Sequence, residues 1–391
     1  MTKKITIILF ISLIFLQACT PNEEEAIDES IDFTDWIEQV DLPNNFSLAI
    51  DPEEIETVET ASTYLAAPLE FDEEILIDTL LSGELIAEEN YAEGPGFQAK
   101  NGELIEYLTI YDGGKSFGEE TGVFGGFTYS NNQHFMNKIS TVISNAPGPP
   151  DKVEQLHKSK YKRDFASESK LPFMDYDEAL IEITDLLSLI GFPTMEVAES
   201  YSLDLETMLE HYEYYLAEYN SNEDLEEYTW SIDDEAYLFF FRQILDGIPL
   251  ANVYWQEEVT TNNEVVATTS TVAYTKDGVM DLNADFLFEP KESKEKRNII
   301  SKIEALRKVI NNYSEILLAN ETRVISMELN YISIYKKDNN YELIPAWVFI
   351  IAEENLETQP VTDMEYTIDY YDYYVINAFT GEVIEKASDQ K

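Results

Sequence analysis

The chain has 391 residues, with 25 Lys and Arg against 77 Asp and Glu and a formal net charge of −52 at pH 7. This balance excludes a basic nucleic-acid footprint and electrostatic adhesion to anionic lipid headgroups. The single cysteine excludes a disulfide framework and a cluster of thiolate metal ligands.

The N-terminus has the pattern of an export signal. Lys3 and Lys4 precede an almost unbroken apolar run over residues 5–15. This run is shorter than the roughly 20 apolar residues that a membrane-spanning helix needs. The pattern therefore predicts a signal segment over residues 1–18, and the alternative is an uncleaved membrane anchor.

The four residues after this run, Leu16-Gln17-Ala18-Cys19, resemble the lipobox of bacterial lipoprotein precursors. The resemblance implies that a diacylglyceryl group is attached to the Cys19 thiol and that the chain is cut after Ala18, with Leu16 and Gln17 completing the recognition site. We therefore expect a lipid anchor on the extracytoplasmic face of a cell membrane, most simply at the surface of a Gram-positive bacterium.

An acidic stretch follows, and no Lys or Arg stands between Lys4 and Lys100. Self-repelling segments of this kind extend, so we predict a tether over residues 19–60. Phe33, Trp36 and Ile37 are the apolar residues that favour a short helix within it. The alternative is an acidic segment that folds onto a basic partner.

Residues 61–150 predict a β-rich domain. Strands are indicated at 104–111 and 123–129, and the proline-rich run at 145–150 ends regular structure. The basic stretch over 151–170 is typical of an exposed linker.

Residues 171–290 predict an α+β unit. Asp175 and Glu178 form a capping-box pattern, and the apolar spacing predicts helices over 176–190 and 205–219. Alternation and turn residues then predict four strands, with Asp277-Gly278 as the hairpin turn between the last two. These strands are placed at 236–245, 248–255, 265–274 and 279–288.

Residues 291–391 predict the same order again. Ser293 is the expected cap of a helix that carries Ile299 to Ile310, and strands are expected at 325–331, 341–351 and 370–377, with a last short one after Thr380-Gly381. We therefore predict an α+β fold of antiparallel sheets with flanking helices, in which a helix-then-strands unit occurs twice after a β-rich N-terminal region.

Phrases in the second half carry a family resemblance. Pro345-Ala-Trp347, the run from Tyr373 to Glu382 and Asp246-Gly-Ile-Pro249 resemble motifs of PepSY-like domains and of YycH/YycI-type regulatory proteins. The resemblance implies a protein that inhibits or tunes partners at a membrane surface, without catalytic residues. It also departs from YycH and YycI, whose transmembrane helix touches a sensor kinase, so that contact is not carried over. We take Trp347, Tyr373 and Tyr374 as the candidate partner-binding surface.

Gly114-Lys-Ser116-Phe-Gly118 fits the G-x-S-x-G elbow of serine hydrolases, with His134, His157 and His211 downstream. That elbow must lead directly into a helix, whereas glycine-rich sequence follows here. The pattern favours a loop between strands, and a hydrolase acting through Ser116 is the remote alternative.

Asp281, Asn283 and Asp285 begin like a calcium loop, but Phe286 occupies the sixth place, where the turn demands glycine. Their alternation with apolar residues favours a strand. Weak calcium association with the carboxylate-rich surface is the metal interaction that we expect, and no cofactor is predicted.

The sequence therefore predicts a non-enzymatic binding or regulatory module that presents a sheet surface or a sheet edge to an extracytoplasmic protein or peptide. The alternative is a surface lipoprotein that binds a sugar or peptide in an aromatic pocket.

Overall fold

The computed structural model describes residues 31–91, 94–112, 125–143, 165–219, 227–251, 265–266, 269–285, 287–337, 340–358 and 365–384. It divides into two units, Met1–Val40 and Asp41–Lys391. In the first unit, the described residues contain helix α1 (Phe33–Gln39), which Asp32 caps by accepting a 2.8 Å hydrogen bond from the backbone of Thr34. The short helix expected around Trp36 is thereby confirmed.

The second unit contains five further helices and eighteen strands among the described residues. The helices are α2 (Glu73–Leu80), α3 (Gln133–Ile143), α4 (Tyr176–Leu189), α5 (Leu205–Tyr219) and α6 (Lys302–Ser314). The first nine strands are β1 (Phe46–Leu48), β2 (Thr60–Ala61), β3 (Tyr64–Pro68), β4 (Glu84–Asn90), β5 (Pro95–Asn101), β6 (Leu104–Asp112), β7 (Gly125–Ser130), β8 (Met195–Leu203) and β9 (Ala236–Leu245). The others are β10 (Ile248–Pro249), β11 (Val265–Val266), β12 (Thr269–Thr275), β13 (Gly278–Asp285), β14 (Phe288–Ser293), β15 (Arg297–Asn298), β16 (Thr322–Lys337), β17 (Asn340–Thr358) and β18 (Glu365–Asn377).

The larger sheet has nine strands in the order β10-β9-β12-β13-β7-β6-β5-β4, with β8 also paired to β9. Every neighbouring pair in it is antiparallel. Helices cover both of its faces near β9. Phe239 and Phe241 pack in one core with Ile183 of α4, and Leu238 and Phe240 pack in the other with helices α3 and α5. The aromatic run of β9 is therefore buried on both sides, which is why it does not alternate with polar residues.

The smaller sheet has seven strands in the order β1-β16-β17-β3-β14, with β11 paired to β16 and β18 paired to β17. Helix α6 lies against one face: the Trp347 indole donates a 3.1 Å hydrogen bond to the carbonyl of Ile300, and the Tyr313 ring stacks on Phe46 at 5.0 Å. The opposite face forms a separate apolar core that includes Val348 and Val375. A two-stranded sheet joins β2 to β15.

The two large sheets are joined at the end of β9. The buried Gln243 side chain donates a 2.7 Å hydrogen bond to the carbonyl of Phe288 and accepts one of 2.9 Å from its backbone N–H. Tyr64 of the smaller sheet donates a hydrogen bond to Asp246 in the β9–β10 turn. Asp246 and Gly247 both have positive φ, 50° and 80°, which is the conformation of a tight hairpin turn.

The mixed α+β class is confirmed, as are the helices over 176–190 and 205–219 and the strand over 236–245. The hairpin at Asp277-Gly278 also forms, with φ of 93° at Gly278. The capping box at Asp175 does not form, because this carboxylate pairs with Lys170 at 2.5 Å and makes no cap hydrogen bond.

Two predicted boundaries are corrected. The tether does not extend to residue 60, because Phe46–Leu48 pairs with β16 and Ile55 is buried. The strands of the predicted N-terminal domain do not form a sheet of their own, since β3 belongs to the smaller sheet and β4 to the larger one. Acidic residues flank these apolar positions and remain exposed, so their repulsion does not prevent the pairing.

The start of the last helix was also placed wrongly. Ser293 ends strand β14, and Ser301 caps α6 by accepting a 3.1 Å hydrogen bond from the Glu304 backbone. Over residues 382–384, the last that the structure describes, the chain makes an isolated bridge between Ile376 and Val383 in place of the expected strand. Among the residues described, none of the helices combines the length and the apolarity that a membrane crossing requires.

Candidate functional site

A cleft lies where the larger sheet meets strand β16 of the smaller one. It comprises two adjoining cavities of about 290 Å³ and 170 Å³. Both are lined by Arg242 at the end of β9, Glu328 on β16, and the segment Glu54-Ile55 that follows β1. These volumes lie below the range of roughly 300–1,000 Å³ that is typical of small-molecule sites, so each suits a side chain or a short piece of peptide.

Arg242 stands between the two cavities and is held by two carboxylates. Its Nη1 and Nη2 atoms each donate a 2.6 Å hydrogen bond to one oxygen of Glu328, and its Nε atom donates one of 2.6 Å to Glu196 on β8. The side chain is 18% exposed. Burial alone lowers the pKa of Arg242, but the two carboxylates outweigh it and hold the pKa above its ordinary value. The guanidinium therefore remains charged, and its planar fork fixes the geometry of both glutamates.

The lining of the cleft is strongly acidic. Among the described residues that line it, Arg242 is the one basic residue, against six carboxylates, namely Asp51, Glu54, Glu56, Glu196, Glu199 and Glu328. Within the part of the chain that the structure describes, no three His, Cys, Asp or Glu residues converge as metal ligands do. The carboxylates are spread along the cleft, so they match an extended cation better than a point charge.

The walls between the carboxylates are apolar. Ile50 and Ile55 contribute from the segment after β1, and Met327 and Leu329 contribute from β16. A ligand that carries both positive charge and apolar side chains would contact both kinds of surface. A basic peptide has this composition.

The cleft also contains a stretch of sheet edge. On the outer side of β16, strand β1 pairs with Thr322–Val324, a bridge from Leu250 reaches Tyr331, and β11 pairs with Ser333 and Ile334. Among the described residues, no strand pairs with the outer side of β16 over 325–330. Ser326 and Met327 lie in this stretch and line the larger cavity.

Several residues singled out in the sequence lie outside the described residues. They are Leu16, Gln17, Ala18, Cys19, Ser116 and His157. His211 is fully buried in α5, with its ring stacked 5.3 Å from that of Phe165. Asp281 and Asn283 lie on β13, as expected for a strand.

The surface predicted at Trp347, Tyr373 and Tyr374 is contradicted by burial. Trp347 is 1% exposed and faces α6, whereas Tyr373 is 6% exposed and belongs to the apolar core on the opposite face. Tyr374 is half-buried, with its ring 6.5 Å from that of Tyr313. The aromatic residues of these strands stabilise both cores, so none of the three forms an open platform for a partner.

Sequence reasoning missed Arg242, Glu196 and Glu328. They are far apart in the chain, and two of them are ordinary among many glutamates. The one available signal was Arg242 itself, because it interrupts the apolar run Ala236–Leu245. A charged residue in such a strand needs a partner.

No family model and no curated protein matches the sequence. The fold is similar to the 1.45 Å crystal structure of an uncharacterized protein from Eubacterium rectale ATCC 33656, with a TM-score of 0.57 and 17% sequence identity. The likeness covers 87% of this chain and 90% of that chain. At this identity it shows a shared fold and nothing about function.

Proposed function

We propose that this chain is a lipid-anchored extracytoplasmic binding module that takes a basic segment of a protein or peptide partner in the cleft around Arg242. The observation that carries the proposal is the cleft itself, in which six carboxylates and apolar walls surround one paired arginine. A lysine or arginine side chain of the partner would compensate the excess negative charge. The edge of β16 would offer backbone hydrogen bonds to the same segment.

The anchoring part of the proposal rests on the lipobox-like Leu16-Gln17-Ala18-Cys19. Mass spectrometry of the mature protein should find a diacylglyceryl group on Cys19 and no Met1. A Cys19→Ala variant should leave the membrane fraction. Unmodified Cys19 in the wild-type protein would remove this part and leave the binding site untouched.

The regulatory part rests on the PepSY- and YycH/YycI-like phrases after residue 170. We propose two helix-then-strands repeats of this type, the second of which consists of α6 and β16–β18. The Asp246-Gly247 turn of the first repeat lies next to the cleft, since Gly247 lines its smaller cavity. A partner in the cleft would thus contact both repeats.

Site-specific photocrosslinking on intact cells tests the binding proposal. A photoreactive residue at Ser326, inside the cleft, should capture a specific protein, whereas the same residue at Ile181, on the exposed side of α4, should not. Glu199→Gln should reduce capture, because it removes a cleft carboxylate, and Glu295→Gln on an exposed loop is the matched control. Failure to capture any specific protein from position 326 would overturn the proposal, and capture of glycan alone would favour the sugar-binding alternative.

A further inference from the structure

The end strand of the larger sheet has a free edge. β4 (Glu84–Asn90) pairs with β5, and no strand pairs with its other side within the described ranges. Six of its seven residues are exposed, and only Ala87 is half-buried. Natural edge strands are usually protected by charged side chains, especially lysine, by proline, by a β-bulge or by a covering element. β4 contains neither lysine nor proline, and a register shift between Leu85 and Ala87 disturbs only its first half.

The second half of β4 directs backbone groups away from β5. Tyr91 donates a 3.0 Å hydrogen bond to the carbonyl of Gly94 and so closes the β4–β5 hairpin. Hydrogen-bonded and non-hydrogen-bonded pairs alternate along an antiparallel ladder. Counting from this closure, Glu89 and Ala87 bond to β5, whereas Glu88 and Asn90 point their N–H and C=O groups outward.

Apolar side chains flank this edge. Leu85 and Ile86 on β4 are 48% and 49% exposed, and Tyr91 at its end is 43% exposed. The Tyr91 ring lies over Gly96 of β5. A Cβ atom at position 96 would come within 2.2 Å of this ring, so the ring can lie there only because residue 96 is glycine. Exposed apolar groups beside free backbone donors and acceptors are the two features that strand addition uses.

The charge of β4 selects the partner. Its three charged residues, Glu84, Glu88 and Glu89, are all acidic. Pairing β4 with β4 of a second copy would bring glutamates opposite glutamates, which is destabilising. An extended segment with lysine or arginine would instead meet opposite charge.

We propose that β4 binds an extended, basic and apolar segment of a protein partner as an added antiparallel strand of the larger sheet. This surface is separate from the cleft, because β4 is at one end of the strand order and β9, which carries Arg242, is near the other. The partner's backbone bonds to Glu88 and Asn90, and its apolar side chains cover Leu85, Ile86 and Tyr91.

Hydrogen exchange tests this with the full chain in non-ionic detergent and a short capped peptide of alternating lysine and valine. The peptide should slow amide exchange in the segment 84–91. A peptide of the same sequence with every amide N-methylated keeps its charge but cannot donate hydrogen bonds, so it should give no protection there. Equal protection by both peptides, or none by either, would overturn strand addition.

Two variants at one position supply the matched control. Glu88→Pro removes the outward N–H without removing a bond to β5, and Glu88→Val removes the charge but keeps the N–H. The proline variant should bind the peptide about tenfold more weakly than the valine variant, the loss expected for one backbone hydrogen bond. Unchanged thermal melting would show that both variants fold. Equal affinity of the two variants would contradict the proposal, and so would elution of the wild-type chain as a dimer that Glu88→Pro dissociates. Glu328→Gln, which changes the cleft, should leave the protection of 84–91 by the peptide unchanged.

Discussion

At the scale of single residues, Asp281 shows how burial governs a carboxylate in this acidic chain. It lies on β13 between β12 and β7, opposite Ala273 and Ser130. Burial raises the pKa of its carboxyl from an ordinary value of 3.8 to about 6. The folded protein therefore holds this proton over a pH range in which the unfolded chain has already released it.

The sign of the effect on stability follows from this order of pKa values. Between pH 3.8 and about 6 the folded state binds more protons than the unfolded state, so the free energy of unfolding falls as the pH rises. Asp281→Asn should therefore unfold like the wild type near pH 4 and be more stable at pH 7.5, by on the order of 2 kcal/mol. Urea denaturation at the two pH values measures the difference. Asp277→Asn, at an exposed turn position, is the matched control, and equal behaviour of the two variants would refute the assignment.

Arg242 shows how much of the candidate site could be predicted from the sequence. Its unusual position within an apolar strand is visible in the sequence, but its partners are not. Glu196 and Glu328 are recognisable only after the sheets have brought three distant segments together. Trp347 illustrates the opposite case, a residue that the sequence singled out and that is not part of the site. An aromatic residue in a conspicuous motif is equally suited to a core and to a surface.

At the scale of elements, two serines near the start of α6 were candidates for its N-cap, and only one of them caps the helix. Ser293 and Ser301 both precede helix-forming sequence. Only Ser301 has its side chain bonded to the first turn, through the Glu304 backbone N–H. Ser293 itself pairs with Tyr64 of β3, and Arg297 and Asn298 pair with β2, so this tertiary pairing overrides the local helix signal.

Replacing each serine by alanine should separate these roles. Ser301→Ala should lower the free energy of unfolding by about 1 kcal/mol, because an orphan N–H of the first turn loses its acceptor. Ser293→Ala, at an exposed strand position, should change it by less than about 0.5 kcal/mol. Chemical denaturation of the two variants under one set of conditions gives the comparison. A larger loss at Ser293 would restore the helix start predicted from the sequence.

Long elements were predictable, α4 and α5 from their helical apolar spacing and β9 from its apolar run. Short elements such as β1 and β2 were not, because a few residues carry no period and their pairing with β16 and β15 is set by distant sequence. The C-terminal boundary of the tether was placed wrongly for the same reason. Its composition is that of an extended chain, yet Phe46 and Ile55 find buried positions that other segments provide.

At the scale of the whole molecule, the joint between the two sheets depends on a few buried polar contacts. Gln243 is 1% exposed and satisfies both backbone groups of Phe288. Leucine at this position would fill similar space but leave a buried N–H and a buried C=O without partners. Such groups cost about 1–3 kcal/mol each.

Gln243→Leu should therefore lower the free energy of unfolding by roughly 2–4 kcal/mol. The control is Gln133→Leu on the exposed side of α3, which should have little effect. Urea unfolding, followed by tryptophan fluorescence and by circular dichroism, measures both variants. If Gln243→Leu were as stable as Gln133→Leu, the hydrogen bonds to Phe288 would not stabilise the joint.

The arrangement of strands into two sheets could not be predicted from the sequence. The mixed α+β class and many strands were correct, but local patterns do not say which strands pair. β3 and β4 are neighbours in the chain and belong to different sheets. Such choices depend on contacts between distant residues, which one sequence does not reveal.

The pairing of β1 with β16 also has a consequence for how the chain folds. Tyr331 on β16 bonds to Ser62 across a separation of 269 residues. Because synthesis runs from the N-terminus, β1 and β3 emerge long before the strands that complete their sheet, and closing so large a loop slows folding. The segment that contains β1 and β3 must therefore remain unpaired until β14, β16 and β17 have been synthesised. Its many acidic residues then act as protection, since mutual repulsion keeps the waiting strands of different molecules apart.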